Sequence, residues 1–446
     1  MRSDCQKNKK IGSIGIGRLI VALLNVWFAT QVAAQVSYEA NAPISTARFR
    51  AAVIHQRLTG TKIPIDSSVL VQMEALIAAG NELGAARIAT DQPGFYSRTL
   101  LLVGNKLSNL RGSARVPFND ISATLIGFAK DDIDARNFLS ANYLYRLQNL
   151  NELPSADADI LESNNHYAFL DGQLVTNPNL DLRPLVVQVP QRLVASMAGG
   201  APVPNPDSAG ILTSRAFLQD CANDGTNRRC WEKIVKNLTC NSMEEVADSS
   251  VPEAWIGRDV TRAPAGDPSV FQTTCKSCHA NMDSNRSAFA FITFADNQVL
   301  HGQVNAARRP NLFTDGTGVA RKLNQAGEGN FQQAMVITSD EWVQQAVSGE
   351  AGAKFGWRDA EGNRINSLIV GRGLKGYGKV LAQSEAFSRC LVTHAFENLC
   401  RRSFTAEEKT RTLRSVASAF ENPKQGNYKI RWLFERVATL SACTGK

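Results

Sequence analysis

Apolar residues recur at helical spacing over long stretches of the chain and alternate at strand spacing in few places. Asp66 can cap an apolar-periodic run over Ser67–Ala79. Ile121–Arg146 holds a longer helical pattern with a break near Asp131–Asp134, and Cys230–Cys240 is short and amphipathic. Towards the end, Val380–Leu399 and Thr405–Phe420 read as helices. The second opens with the box Thr405-Ala-Glu-Glu408, whose side chains can satisfy first-turn N–H groups reciprocally. Tyr428–Ser441 closes the pattern. The best strand, Leu185–Val189, lies between Pro184 and Pro190. Gly199–Pro206 reads as a linker and Arg262–Pro268 as a lead-in loop. The pattern predicts a mainly α fold.

One apolar run is different. Leu19–Ala29 follows a basic stretch ending at Lys10 and Arg18 and precedes Val32-Ala33-Ala34, small residues suited to cleavage before Gln35. Residues 1–34 therefore read as a signal peptide, and the mature chain as periplasmic or secreted. An uncleaved anchor is the poorer fit, because glycines, serines and Arg18 interrupt the run. No other stretch approaches the ~20 apolar residues of a membrane helix.

That segment also changes the charge. The full chain has 49 basic and 41 acidic residues; removing five basic and one acidic leaves 44 and 40. Such a mild surplus is no footprint for a polyanion, so nucleic-acid binding is excluded as the main activity. The length, 446 residues, suggests more than one structural unit. We place an N-terminal helical domain at 35–205, a second domain at 206–310 and a C-terminal helical domain at 311–446.

Export also governs the cysteines. Eight follow the signal, and in an oxidising compartment most should be bonded. Cys275 and Cys278 share a motif. The other six allow 15 pairings. Short loops favour Cys221–Cys230 and Cys390–Cys400, leaving Cys240–Cys443; a buried free thiol is the alternative for some of them.

The motif is Cys275-Lys-Ser-Cys278-His279. Its spacing lets two thiols form thioethers with the two vinyl groups of a haem, and carries the adjacent histidine beneath the ring as proximal iron ligand. A thioredoxin-type pair would want a βαβ context, and a zinc ribbon a second cysteine pair; neither is present in the sequence. The expected cofactor is one covalent haem c in the 206–310 domain. Phe271, Phe289, Phe291 and Phe294 can supply its apolar wall or serve as ordinary core. For the distal iron site the candidates are Met335, some tens of residues downstream, and His394, which can equally be a satisfied core histidine; an open site is the third possibility.

Two other patterns are weaker. Gly373-Leu-Lys-Gly-Tyr-Gly378-Lys379 approximates a phosphate-binding loop, but Val380 stands where a magnesium-holding hydroxyl belongs. Asp359-Ala-Glu-Gly-Asn363 looks calcium-like but suits a polar turn. Asn237-Leu-Thr239 is a glycosylation sequon by pattern only.

With Phe271, the haem motif, Asn281-Met282-Asp283 and the Phe-rich run in place, the chain resembles the large exported c-type cytochromes of planctomycetes and some proteobacteria. These combine several domains of unknown function around one C-x-x-C-H. Leu381–Cys390 (LAQSEAFSRC) is similar to their C-terminal domain, and Gly210–Leu218 (GILTSRAFL) to the segment leading into their haem domain. The chain departs from them at Asp283–Phe289, where they often carry a glycine-containing run, and at Cys400-Arg-Arg402, which replaces their Gly-Arg. The resemblance implies a haem electron carrier without fixing its reaction or its redox partner protein.

The expectation is an exported mono-haem c-type cytochrome that transfers single electrons. A haem enzyme with an open sixth site, peroxidase-like or associated with oxidative polysaccharide breakdown, is one alternative. A haem-stapled interaction scaffold is another.

Overall fold

Ser67, not Asp66, opens the first predicted helix: its hydroxyl accepts from the Leu70 N–H, and Ser68–Ala78 follows. The next long pattern divides. Asn119 caps Asp120–Lys130 by accepting from the Ile121 and Ser122 N–H groups, and the helix stops where Asp132 takes a positive φ. The remainder of the pattern, predicted helical to Arg146, is a short 3-10 turn and then strand Tyr143–Leu147. A partner strand decides that outcome: Val186–Pro190, the one strand the sequence indicated, pairs antiparallel with it from Tyr143↔Pro190 to Leu147↔Val186.

The computed structural model describes residues 45–109, 113, 116–148, 161–194, 201–222, 227–257, 260–295, 297–305 and 339–444. The expected signal segment and Met335 lie outside them. The longer helices among them are α1 (Thr46–Thr59), α2 (Ser68–Ala78), α3 (Glu82–Thr90), α4 (Leu101–Ser108), α5 (Asp120–Lys130), α6 (Asn165–Thr176), α7 (Arg215–Cys221) and α8 (Arg228–Leu238). They continue with α9 (Lys276–Asn285), α10 (Gly349–Phe355), α11 (Gly373–Gln383), α12 (Glu385–Cys400), α13 (Arg414–Glu421) and α14 (Ile430–Ala438). Among the described residues four two-stranded antiparallel sheets punctuate them: β1 (Tyr143–Leu147) with β2 (Val186–Pro190), β3 (Arg192–Leu193) with β4 (Val203–Pro204), β5 (Ile292–Ala295) with β6 (Gln298–His301), and β7 (Glu341–Gln344) with β8 (Ile369–Arg372). The fold is mainly α. Part of the expected linker Gly199–Pro206 is thus a strand.

One apolar cluster runs from Ala51 to Cys443, with members on both sides of 205/206 and 310/311, where the sequence suggests boundaries. The described residues from Thr46 onward fall in one compact unit. Helix α12 runs through this core, packing against α14, α13 and α8 and burying Phe387, Leu391, Phe396 and Leu399. The capping box before α13 is present in both directions.

Three disulfides staple the unit: Cys221–Cys230, Cys240–Cys390 and Cys400–Cys443, with Cα–Cα distances of 4.8, 5.1 and 4.4 Å. The first is as expected; the other two correct the short-loop pairing. Cys390 and Cys400 lie on the same straight helix, about 15 Å apart at 1.5 Å per residue, far beyond disulfide reach.

Candidate functional site

Asp267 and Pro268 start the segment that carries the cysteine motif. The Asp267 carboxylate accepts from the Ser269 N–H at 2.8 Å, and proline suits a first helical position. The chain then winds through a wide turn, Phe271–Cys275, directly into α9. Cys275 and Cys278 are one turn apart on this continuous helix, partly exposed, and not bonded to each other or to another cysteine. His279 follows with its side chain 25% exposed.

Neighbouring segments pin the helix in place. Ser277 O accepts from the Asp248 N–H at 3.2 Å, Ala280 O from Gln345 Nε2 at 3.0 Å, and Asn281 Nδ2 donates to Val246 O at 3.0 Å. Cys278 Sγ lies 3.9 Å from Met243 O. Met243 is thereby brought beside the motif, a neighbour that 35 residues of separation hid from the sequence reading.

Asp283 organises the other side. It is fully buried and accepts from Arg228 Nε at 2.5 Å, from the second guanidinium arm at 2.8 Å and from the Gly257 N–H at 2.8 Å. His279 Nδ1 stands 3.6 Å from Asp283 Oδ2, at ion-pair rather than hydrogen-bond distance, and Arg286 lies 3.8 Å from Oδ1. Burial alone would raise the Asp283 pKa. The Arg228 hydrogen bonds and the Arg286 charge outweigh it and hold the carboxyl well below the usual range. The sequence carried a usable sign of this pair, since residues four apart on a helix share a face. Arg228 and Gly257 had none.

The surroundings of Cys278 disfavour its thiolate. Burial pushes the Cys278 thiol up, with Glu244 and Cys275 adding to it and Ser277 opposing. A reactive C-x-x-C cysteine draws its low pKa from a helix N-terminus or a neighbouring cation. Cys275 instead sits inside a running helix.

A small apolar cluster, separate from the main core, surrounds the motif: Val251, Ile256, Phe271 and Ala280, with Val260 and Cys275 packed against it. Trp255 and Val270, both more than a third exposed, extend that surface; the turn bearing Trp255 packs on α9. Of the expected phenylalanine wall only Phe271 belongs here. Phe289 and Phe294 are main-core residues; Phe289 stacks on Phe217 with centroids 6.5 Å apart, and Phe291 packs beside Ala290.

His394 is engaged elsewhere. Its Nε2 is 2.9 Å from the Asn237 carbonyl and lies 3.6 and 3.4 Å from the sulfurs of Cys240 and Cys390. Burial, reinforced by Lys106, lowers its pKa to about 4 and keeps it neutral.

Comparison with protein-family models, with curated proteins and with solved structures finds no match. The site must therefore be read on its own chemistry.

The weaker patterns resolve as structure. Gly373 takes φ +61° and opens α11, as a phosphate loop would, but the Asp207 carboxylate accepts from the Leu374 and Lys375 N–H groups at 2.7 and 3.0 Å. A protein anion already fills the place of a phosphate. Gly378 is needed for contact: a Cβ there would stand 1.9 Å from Leu139 O. Asp359–Asn363 is a polar turn, its carboxylate accepting from the Asn363 backbone N–H at 2.7 Å. Asn237 Nδ2 donates to Leu107 O at 2.9 Å, so the sequon amide is used inside the protein.

Proposed function

We propose that the chain is an exported mono-haem c-type cytochrome that carries single electrons, with haem c joined to Cys275 and Cys278 and His279 as proximal ligand. One observation carries this reading: the six other described cysteines are paired in three disulfides, whereas the two of C-x-x-C-H stand unpaired, one helical turn apart, beside a histidine. In an oxidising compartment two adjacent unmodified thiols are not expected to persist. Thioether formation would consume both.

The surroundings fit a flat apolar group. Four buried apolar residues make a meagre core alone, and Trp255 and Val270 leave apolar area beside it in water. A bound haem would supply a one-electron iron centre there. The chain's own residues orient and shield it. Asp283, facing His279 Nδ1, favours a proton on that nitrogen and leaves Nε2 for the metal. Phe271 and Ile256 would keep water from one edge.

With His394 held by Asn237, Met335 is the distal ligand we propose. Export rests on the signal-like residues 1–34 and agrees with three disulfides; among the described residues no helix is long and apolar enough to cross a membrane. The redox partner would be a second electron-transfer protein. The deciding test is whether haem stays on the polypeptide through acid–acetone extraction and is lost from the Cys275→Ala/Cys278→Ala variant.

A further inference from the structure

A pocket lined by none of the haem-motif residues gathers arginines from three segments. Arg146 projects from β1, Arg192 from β3, and Arg215 opens α7; Gln191, Thr213 and Gln298 complete the lining. Its cavity volume is about 10 Å³, room for a single water-sized group. Arg192 is exposed at the rim, but Arg146 and Arg215 are each only 7% exposed.

Among the described residues one buried guanidinium donor of the lining finds no acceptor. Arg215 Nε donates to Asn297 O at 2.8 Å, and Arg215 N–H to Asp120 at 3.2 Å. Arg146 Nε is 3.5 Å from Asp120 Oδ1 and makes no hydrogen bond. Asp120 is already heavily used, accepting from the Tyr167 hydroxyl at 2.8 Å as well. Gln298, a lining residue, donates its amide to Glu162. Gln191 spends its amide on Ala141 O and Gly210 O and its oxygen on Thr213. Among the described residues the buried Arg146 Nε thus has no acceptor nearer than Asp120 at 3.5 Å, and a buried guanidinium with an unmet N–H donor is costly unless an anion answers it.

We propose that this pocket binds one small monovalent anion, a halide or the carboxylate group of a small acid, held between Arg146 and Arg215. Arginine forks match a carboxylate in two parallel bonds and can equally converge on a halide. The anion would neutralise the surplus charge and tie β1, β3 and α7 together. Burial, aided by Arg146, pulls the Arg215 pKa down against Asp120, the direction expected of cations crowded without enough counter-charge. Nearby His166 has both ring nitrogens buried without hydrogen-bond partners, and burial lowers its pKa to about 4, so it adds no positive charge to the pocket.

The site stands apart from the haem reading and is tested without it. The intact mature chain is freed of small anions and its thermal unfolding followed while sodium acetate or sodium chloride replaces a bulky sulfonate buffer salt at constant ionic strength. A ligand that binds only the folded state raises Tm along a saturating curve. We expect saturation with at least one of the two, acetate marking a carboxylate site and chloride a halide site, and at least a tenfold weaker apparent Kd in Arg146→Met and Arg215→Met. A linear response shared by wild type and variants overturns the proposal. Should the variants fail to fold, bromide-soaked wild-type crystals decide it: an anomalous peak between Arg146 and Arg215 supports the site, and its absence removes it.

Discussion

His279 and Asp283 face each other across one turn of α9, with 3.6 Å between Nδ1 and Oδ2, while the same carboxylate holds Arg228 and the Gly257 N–H. The residue that orients the proposed iron ligand is thus the one that clamps its helix to two other segments. Asp283→Ala should unfold the local structure more than it perturbs the histidine. Removing one partner of a buried pair leaves the other charge uncompensated, at a cost of about 3–5 kcal/mol. Denaturant unfolding of the variant should show that loss; a loss below about 1 kcal/mol would mean that solvent, not Asp283, satisfies Arg228.

Disulfide connectivity separates the structure from the shortest-loop expectation. Non-reducing digestion should release peptides joining Cys240 to Cys390 and Cys400 to Cys443. A peptide joining Cys390 to Cys400 would require α12 to be broken and contradicts the fold. Breaking the last bridge with Cys400→Ala and Cys443→Ala should cost about 2–4 kcal/mol.

That error also shows what the sequence contained. The helical pattern over Val380–Leu399 already placed Cys390 and Cys400 about three turns apart, so two readings of the same residues excluded each other. Helices with strong periodicity, such as α8 and α13, or with a cap of their own, such as α2, were readable because local chemistry suffices for them. Tyr143–Leu147 was not: its strand identity comes from pairing with a segment some forty residues later. The same division holds at the site. Cys275, Cys278 and His279 are contiguous and announce themselves. Arg228, Gly257 and Met243 reach the motif only through the fold, and the commitment of His394 to Asn237 depends on α8 packing against α12.

Acid should destabilise the protein through two buried histidines. His166 and His394 both have pKa values lowered to about 4 from 6.5, by burial first. The unfolded chain then binds protons that the folded one refuses, so stability is full above pH 6.5 and falls as pH drops towards 4. The slope is about 1.4 kcal/mol per pH unit for each histidine. His166→Phe keeps a ring packed against Tyr167 and cannot charge; it should remove about half of this slope between pH 6.5 and 5. An unchanged slope would show that His166 is hydrated.

The iron's sixth site distinguishes carrier from enzyme. Two strong axial ligands change little between oxidation states and exclude peroxide, so we expect a six-coordinate, low-spin haem unreactive towards carbon monoxide. Met335→Ala should convert it to high spin and lower its potential, because thioether sulfur favours the ferrous state. His394→Ala should leave the spin state unchanged. A wild-type spectrum that is already high-spin would promote the peroxidase-like reading.

Covalent attachment remains the most direct measurement. Mature protein produced with a functioning haem-attachment system should be red, show the reduced-state absorption of a haem with both vinyl groups saturated, and keep its haem on the polypeptide through acid–acetone. Intact mass should exceed the chain by one haem, and by none in the Cys275→Ala/Cys278→Ala variant. A colourless mature protein whose Cys275 and Cys278 react freely with an alkylating agent would contradict the account at its centre.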